Sequence, residues 1–203
     1  MLNLIKSGGV LMLPILVCGI IATYIIIERL VYFASVKKRD LELRKNLEDA
    51  LGKSDYTAAE AYCVATGTPL AQVAKKALGC RKLTEDDMRE MVQCEMDSVV
   101  PQFEHGLTLL GTIANISTLL GLFGTVTGNI KAFGVLGASG TMGNPAILAG
   151  AISEALMTTA GGLFVAIPSL VFNNYLVRHA NKLVTAMEGT VTKLMLRLTG
   201  RVL

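Results

Sequence analysis

Three long stretches of the chain are almost free of charge, and charged residues crowd the segments between and after them. The first, about 9–33, has no charge from Val10 to Ile27, and about 18 apolar residues suffice to cross a bilayer with interfacial help. The second, about 107–133, has none from Leu107 to Ile130. The third, about 146–176, has one, Glu154. The pattern predicts an all-α membrane protein with three transmembrane helices and a helical cytoplasmic domain. Long helices are expected to extend from spans two and three into the cytoplasm.

The segment between the first two spans, 34–106, reads as a series of amphipathic helices. Leu41, Leu43, Leu47, Ala50 and Leu51 recur at roughly helical spacing, and Gly52 stops that helix. Ser54 or Asp55 can cap a second helix, which runs to about Thr66. Gly67 and Pro69 mark a break, and Leu70 to Leu78 forms a third helix ending at Gly79. Thr84 followed by Asp87 resembles a capping box, opening a helix expected to run on into span two with a bend at Pro101. The tail, 177–203, is amphipathic, with Leu183, Val184, Met187, Val191, Leu194 and Leu198 on one face. Gly134, Gly137, Gly140 and Gly143 suggest a flexible outer loop over 134–145, and Asn144-Pro145 is a sound helix start. The whole of 1–203 reads as one domain.

Charge sets the orientation. All but Lys6 and Lys131 of the 19 Lys and Arg residues lie between Arg29 and Arg89 or between Arg178 and Arg201. The positive-inside rule puts both regions in the cytoplasm, with the N-terminus outside and the C-terminus inside. The run into span one ends in Glu28-Arg29 rather than a small-residue cleavage site, so it reads as a retained span. Composition agrees: hydrophobic residues make up 52% and charged residues 17%, where a soluble domain carries about 25% charged. With Trp absent, Tyr24, Tyr32, Phe33 and Tyr175 are left to anchor the interfaces. Cys18, Cys63, Cys80 and Cys94 are too widely spaced for a metal site, and reduced thiols are expected.

Candidate chemistry gathers in spans two and three. On a helical wheel, Asn115, Thr118, Thr125 and Asn129 share one face of span two. Ser117, Gly121, Gly124 and Gly128 form a second stripe beside it, the kind of small-residue row on which membrane helices pack. In span three, Glu154, Thr158, Gly161 and Val165 lie within about 60° of one another, while Thr159 falls elsewhere, toward Ala155 and Ala166. Pro168 can bend this helix late in its course. Glu154 stands about nine residues past Pro145, roughly 13 Å along the helix. A charge at mid-span costs about 2.5–3.5 kcal/mol, so the carboxylate is a functional candidate by default. Burial favours the neutral acid, which makes reversible protonation near neutral pH plausible. The alternative is a structural ion pair between Glu154 and Lys131 across the outer loop. Glu104, His105 and His179 read as interfacial or tail residues. No nucleophile–base pair or metal cluster is visible, and Gly121 to Gly128 lacks the Lys-Ser/Thr ending of a P-loop, so no enzyme activity, cofactor or nucleic-acid partner is expected.

The chain resembles the MotA/TolQ/ExbB proton-channel family, specifically its three-span ExbB/TolQ branch. Two segments carry the resemblance: Leu119-Leu120-Gly121-Leu122-Phe123-Gly124-Thr125-Val126-Thr127-Gly128, and Ile152-Ser153-Glu154-Ala155-Leu156-Met157-Thr158-Thr159-Ala160-Gly161-Gly162-Leu163, followed by Ala166-Ile167-Pro168. Gly8 to Leu30 and Thr68-Pro69-Leu70 add to it. The resemblance implies a homo-pentameric ring in the bacterial inner membrane. The ring would enclose single-span partners of the ExbD/TolR type that supply a membrane Asp. It would use the proton-motive force to drive a TonB- or TolA-like transducer, and so energise TonB-dependent outer-membrane transport or, alternatively, the Tol-Pal envelope system. The family's functional positions fall on Thr125, Glu154 and Thr159, with Thr159 preferred over the Thr158 of the wheel. Lys131 departs from the family pattern. A non-conducting scaffold and a small secondary transporter are the competing readings; the latter lacks any repeat. A four-span flagellar stator is disfavoured by the span count.

Overall fold

The computed structural model describes residues 9–138 and 145–200. They form six helices: α1 (Met12–Gly52), α2 (Tyr56–Thr66), α3 (Pro69–Gly79), α4 (Glu85–Glu104), α5 (Leu107–Ala138) and α6 (Pro145–Leu198). No strand occurs among the described residues. Three helical stretches, Met12–Gly52, Glu85–Gly137 and Pro145–Leu198, hold windows long and apolar enough to cross a membrane. The protein is an all-α membrane protein.

Two compact units divide the chain. The first draws on Met1–Glu28 and Gly106–Tyr175, the second on Arg29–His105 and Leu176–Leu203. The first unit is apolar on its outside. Leu13, Ile20, Leu122, Phe123, Phe133, Phe164 and Ile167 are exposed, while much of its interior is small: Ala22, Ala114, Ala132, Ala151, Ala155 and Ala166 are buried. A surface of that kind suits lipid or other apolar neighbours rather than water.

The second unit has the reverse arrangement. Leu43, Leu70, Leu78, Val92, Phe103, Leu176 and Met187 are buried, and local signals punctuate its helices. The Asp55 side chain accepts from the Ala58 amide, Gly67 closes α2 in the left-handed region, and Thr68 caps α3 ahead of Pro69. The Thr84 hydroxyl accepts from the Asp87 amide and donates to its carboxylate at 2.6 Å. Long arginines tie helices together through backbone carbonyls: Arg29 to Gln102, Arg39 to Thr66 and Arg44 to Ala186, at 2.8–3.0 Å.

Two stretches differ from the sequence expectation. The helix opened by Thr84 does not run on into span two. It ends at Glu104, and α5 begins at Leu107. Pro101 sits inside α4, whereas His105 takes extended ψ and Gly106 takes φ 75°, the left-handed region that glycine enters without strain. In addition, α5 continues through Gly134 and Gly137 to Ala138, where glycine density suggested a loop. Apolar surroundings favour a helix that satisfies its own backbone. The expected cap Asn144 lies outside the described residues.

Candidate functional site

The candidate site lies within the first unit, where α1, α5 and α6 pack. The small-residue stripe of α5 faces α6 at backbone range. A Cβ built on Gly121 would fall 3.2 Å from Thr159 Cα, and one on Gly124 would fall 2.5 Å from Thr158 Cγ2. A Cβ on Gly128 would run into that of Ala155. From the other side, a Cβ on Gly162 would sit 2.5 Å from the Ser117 carbonyl oxygen and 3.0 Å from Gly121 Cα. Only glycine lets the two backbones approach this closely.

The Thr159 hydroxyl donates across this contact to the Gly121 carbonyl at 2.8 Å, and also lies 3.2 Å from the Ala155 carbonyl. Thr158, buried against Gly124, donates to the Glu154 carbonyl at 2.8 Å. Both threonines therefore face α5, at different levels, although a wheel sets them far apart. Thr125 is half-buried and donates to Leu122 O at 2.7 Å. Asn115, Thr118 and Asn129 are exposed in this chain, so the polar stripe of α5 turns away from the α5–α6 contact.

Glu154 belongs to a different contact. Its carboxylate lies against Gly9, whose φ is 66°, so closely that any Cβ there would overlap it. Along the same face of α6, Gly161 meets the Met12 side chain and Val165 meets Gly19. The α6 stripe thus packs on α1. From α5, the Lys131 ammonium reaches Glu154 Oε1 at 2.9 Å.

Among the described residues of this unit, two side-chain polar atoms are buried without a hydrogen-bond partner: Ser117 Oγ and Asn173 Oδ1. Asn173 packs on Gly111, with Nδ2 3.2 Å from where a Cβ would stand. Asn173, Gly9 and Gly162 were not foreseen as site residues. Asn173 carries a signal that could have flagged it, since it follows Ser169 by one helical turn.

In the second unit, the Cys63 thiol is pushed up to about 11, by burial first and by Glu60. His179 is lowered by burial, then by Lys37 and Lys182, and its ring lies 5.5 Å from that of Phe33. No group of three or more His, Cys, Asp or Glu residues suited to a metal occurs among the described residues.

Three membrane-length helices, a glycine-lined α5–α6 seam and an α6 carboxylate paired with a lysine of α5 define a multi-pass helical membrane protein. The model of the MotA/TolQ/ExbB proton channel family matches residues 65–189. A biopolymer transport protein ExbB of Neisseria meningitidis is 30% identical, covering 95% of this chain and 92% of that one. A putative biopolymer transport protein ExbB-like 3 of Synechocystis is 30% identical over 83% of this chain and 80% of its own length. A biopolymer transport protein exbB1 of Vibrio cholerae is 40% identical over 50% of this chain and 45% of that one. The chain belongs to the MotA/TolQ/ExbB proton channel family.

Proposed function

We propose that the chain is the ring-forming subunit of an inner-membrane proton channel that uses the proton-motive force to energise TonB-dependent outer-membrane transport. The observation that carries this reading is that Glu154 and Thr159 both reach α5 from α6: Thr159 donates to the Gly121 carbonyl, and Glu154, one to two turns away, pairs with Lys131 and lies beside Gly9. A carboxylate that can take up and release a proton, beside hydroxyls and closely packed backbone, is what a proton path requires. The apolar outside of the first unit fits a ring of identical subunits, five by family resemblance, in a lipid bilayer. The lumen would hold an ExbD/TolR-like partner with its own Asp, and a TonB- or TolA-like transducer would carry the work outward. The N-terminus is periplasmic and the C-terminus cytoplasmic on the distribution of Lys and Arg. Relatives named ExbB over nearly the whole chain favour the TonB placement over a TolQ-type role.

One observation favours a second reading, a scaffold that does not conduct. The hydroxyls of Thr125, Thr158 and Thr159 all donate to backbone carbonyls, as packing threonines do. Glu154→Ala and Thr159→Val separate the two. On the proton-channel reading both variants are expected to assemble, checked by native mass measurement, and both to lose proton flux and energised uptake. Normal uptake by both would refute it. Loss of assembly, with function returning once assembly is restored, would establish the scaffold.

A further inference from the structure

We propose that Lys131 is the built-in counter-ion of Glu154, and that it makes the seam refuse alkali-metal cations while still admitting protons. This rests on the proton-channel reading of the seam. From Gly106 to Val177 the sequence holds two formal charges, Lys131 and Glu154, and from Gly9 to Ile27 it holds none. The ammonium and carboxylate meet at 2.9 Å. The fixed charge of the seam therefore sums to zero at its only carboxylate, whereas cation-conducting sites present uncompensated acidic groups or carbonyls to the ion.

Local geometry sharpens the point. A bound sodium or potassium ion needs several oxygens arranged around it. Here Oε1 already accepts from Lys131, the Gly9 backbone closes on the same carboxylate, and the Thr158 hydroxyl donates to the Glu154 backbone carbonyl. A metal cation would have to displace the ammonium or sit beside its positive charge. A proton needs one lone pair: it adds to the carboxylate oxygen, the carboxylate becomes a neutral acid, and the ammonium keeps its own protons. The Lys131 side chain is 59% exposed in the single chain; in this scheme it withdraws as the proton arrives and returns when it leaves. Lys131 is a positioning and selectivity residue in this scheme, and no proton passes through it.

The test uses the full chain reconstituted with its single-span partner in liposomes, with proton flux followed by an internal pH dye and sodium flux by radioactive sodium. Wild type is expected to pass protons, to exclude sodium, and to show no slowing of proton flux by added sodium. Lys131→Gln is expected to raise sodium uptake about tenfold or more, the scale of removing one close like charge. Lys131→Arg should keep the wild-type selectivity, and Lys131→Gln with Glu154→Gln should abolish the gain. Sodium uptake unchanged in Lys131→Gln, while protons still pass, overturns the inference and leaves the proton-channel reading standing. So does sodium competition with protons in wild type, a measurement that needs no variant to assemble. A wild-type complex that passes neither ion overturns the channel reading, and this inference with it.

Discussion

Each of the two units is packed within itself, and by opposite means. The span-bearing unit brings backbones together by leaving side chains out: Gly121, Gly124, Gly128 and Gly162 set the α5–α6 distance. The other unit fills its interior with large side chains, such as Leu43, Leu70, Leu78, Phe103 and Met187. In water, burying apolar volume stabilises a fold. In lipid that driving force is absent, and close packing and hydrogen bonds between helices take its place. In the first unit Thr159 and Lys131 reach across to another helix, while Thr125 and Thr158 donate within their own. The second unit spends many of its polar groups on caps and helix ends.

That contrast can be broken by substitution. The largest effect is expected from Gly162→Val, whose added atoms meet the Ser117 carbonyl and Gly121 Cα, neither of which can rotate away. Loss of a folded, monodisperse protein in detergent is the expected outcome, and a melting curve like that of wild type would show that the backbones are not held as close as described. Next comes Leu70→Ala in the second unit, where the side chain is fully buried. A large-to-small change there is expected to cost about 2–5 kcal/mol, read from denaturation of the intact protein. The smallest effect concerns Asp40. Burial raises its carboxyl above the ordinary value of 3.8, with the Thr68 hydrogen bond, Arg44 and Arg39 only partly offsetting this, and its Oδ1 has no hydrogen-bond partner. A raised folded-state value means the ionised form costs the folded state. That cost is absent well below pH 3.8, where the group is protonated folded or unfolded. It grows as pH rises from there through the higher folded-state value. Asp40→Asn is therefore expected to melt slightly higher than wild type at neutral pH and alike in strong acid. A lower melting temperature at neutral pH would mean that the arginines outweigh burial.

Much of this architecture was legible in the sequence because its signals are local. Charge-free runs gave three long apolar helices, and glycines, prolines and capping side chains such as Asp55 and Thr84 mark helix ends by acting on their own stretch of backbone. The break before α5 was misplaced because Pro101 is a visible breaker, while the φ of Gly106 depends on the turn it completes. The site was legible in its residues and less so in its pairings. A wheel gives a helix one inward direction, yet α6 has two: Gly161 and Val165 meet α1, with Glu154 beside Gly9 just ahead of it, and Ala155, Thr158, Thr159 and Gly162 meet α5. Nor can a wheel choose the level at which helices meet, so the Lys131–Glu154 pair stood in the sequence only as an alternative; the structure has it at 2.9 Å.

The seam also constrains how this protein can change over generations. Gly124 is crowded by the side chain of Thr158, so a carbon gained at one position can be matched by atoms lost at the other, and two successive mutations offer a way through. Gly162 is crowded by a carbonyl oxygen and a Cα, which every amino acid carries, so no second substitution restores the room. The first position is a door in sequence space that opens with a paired change, and the second is a wall.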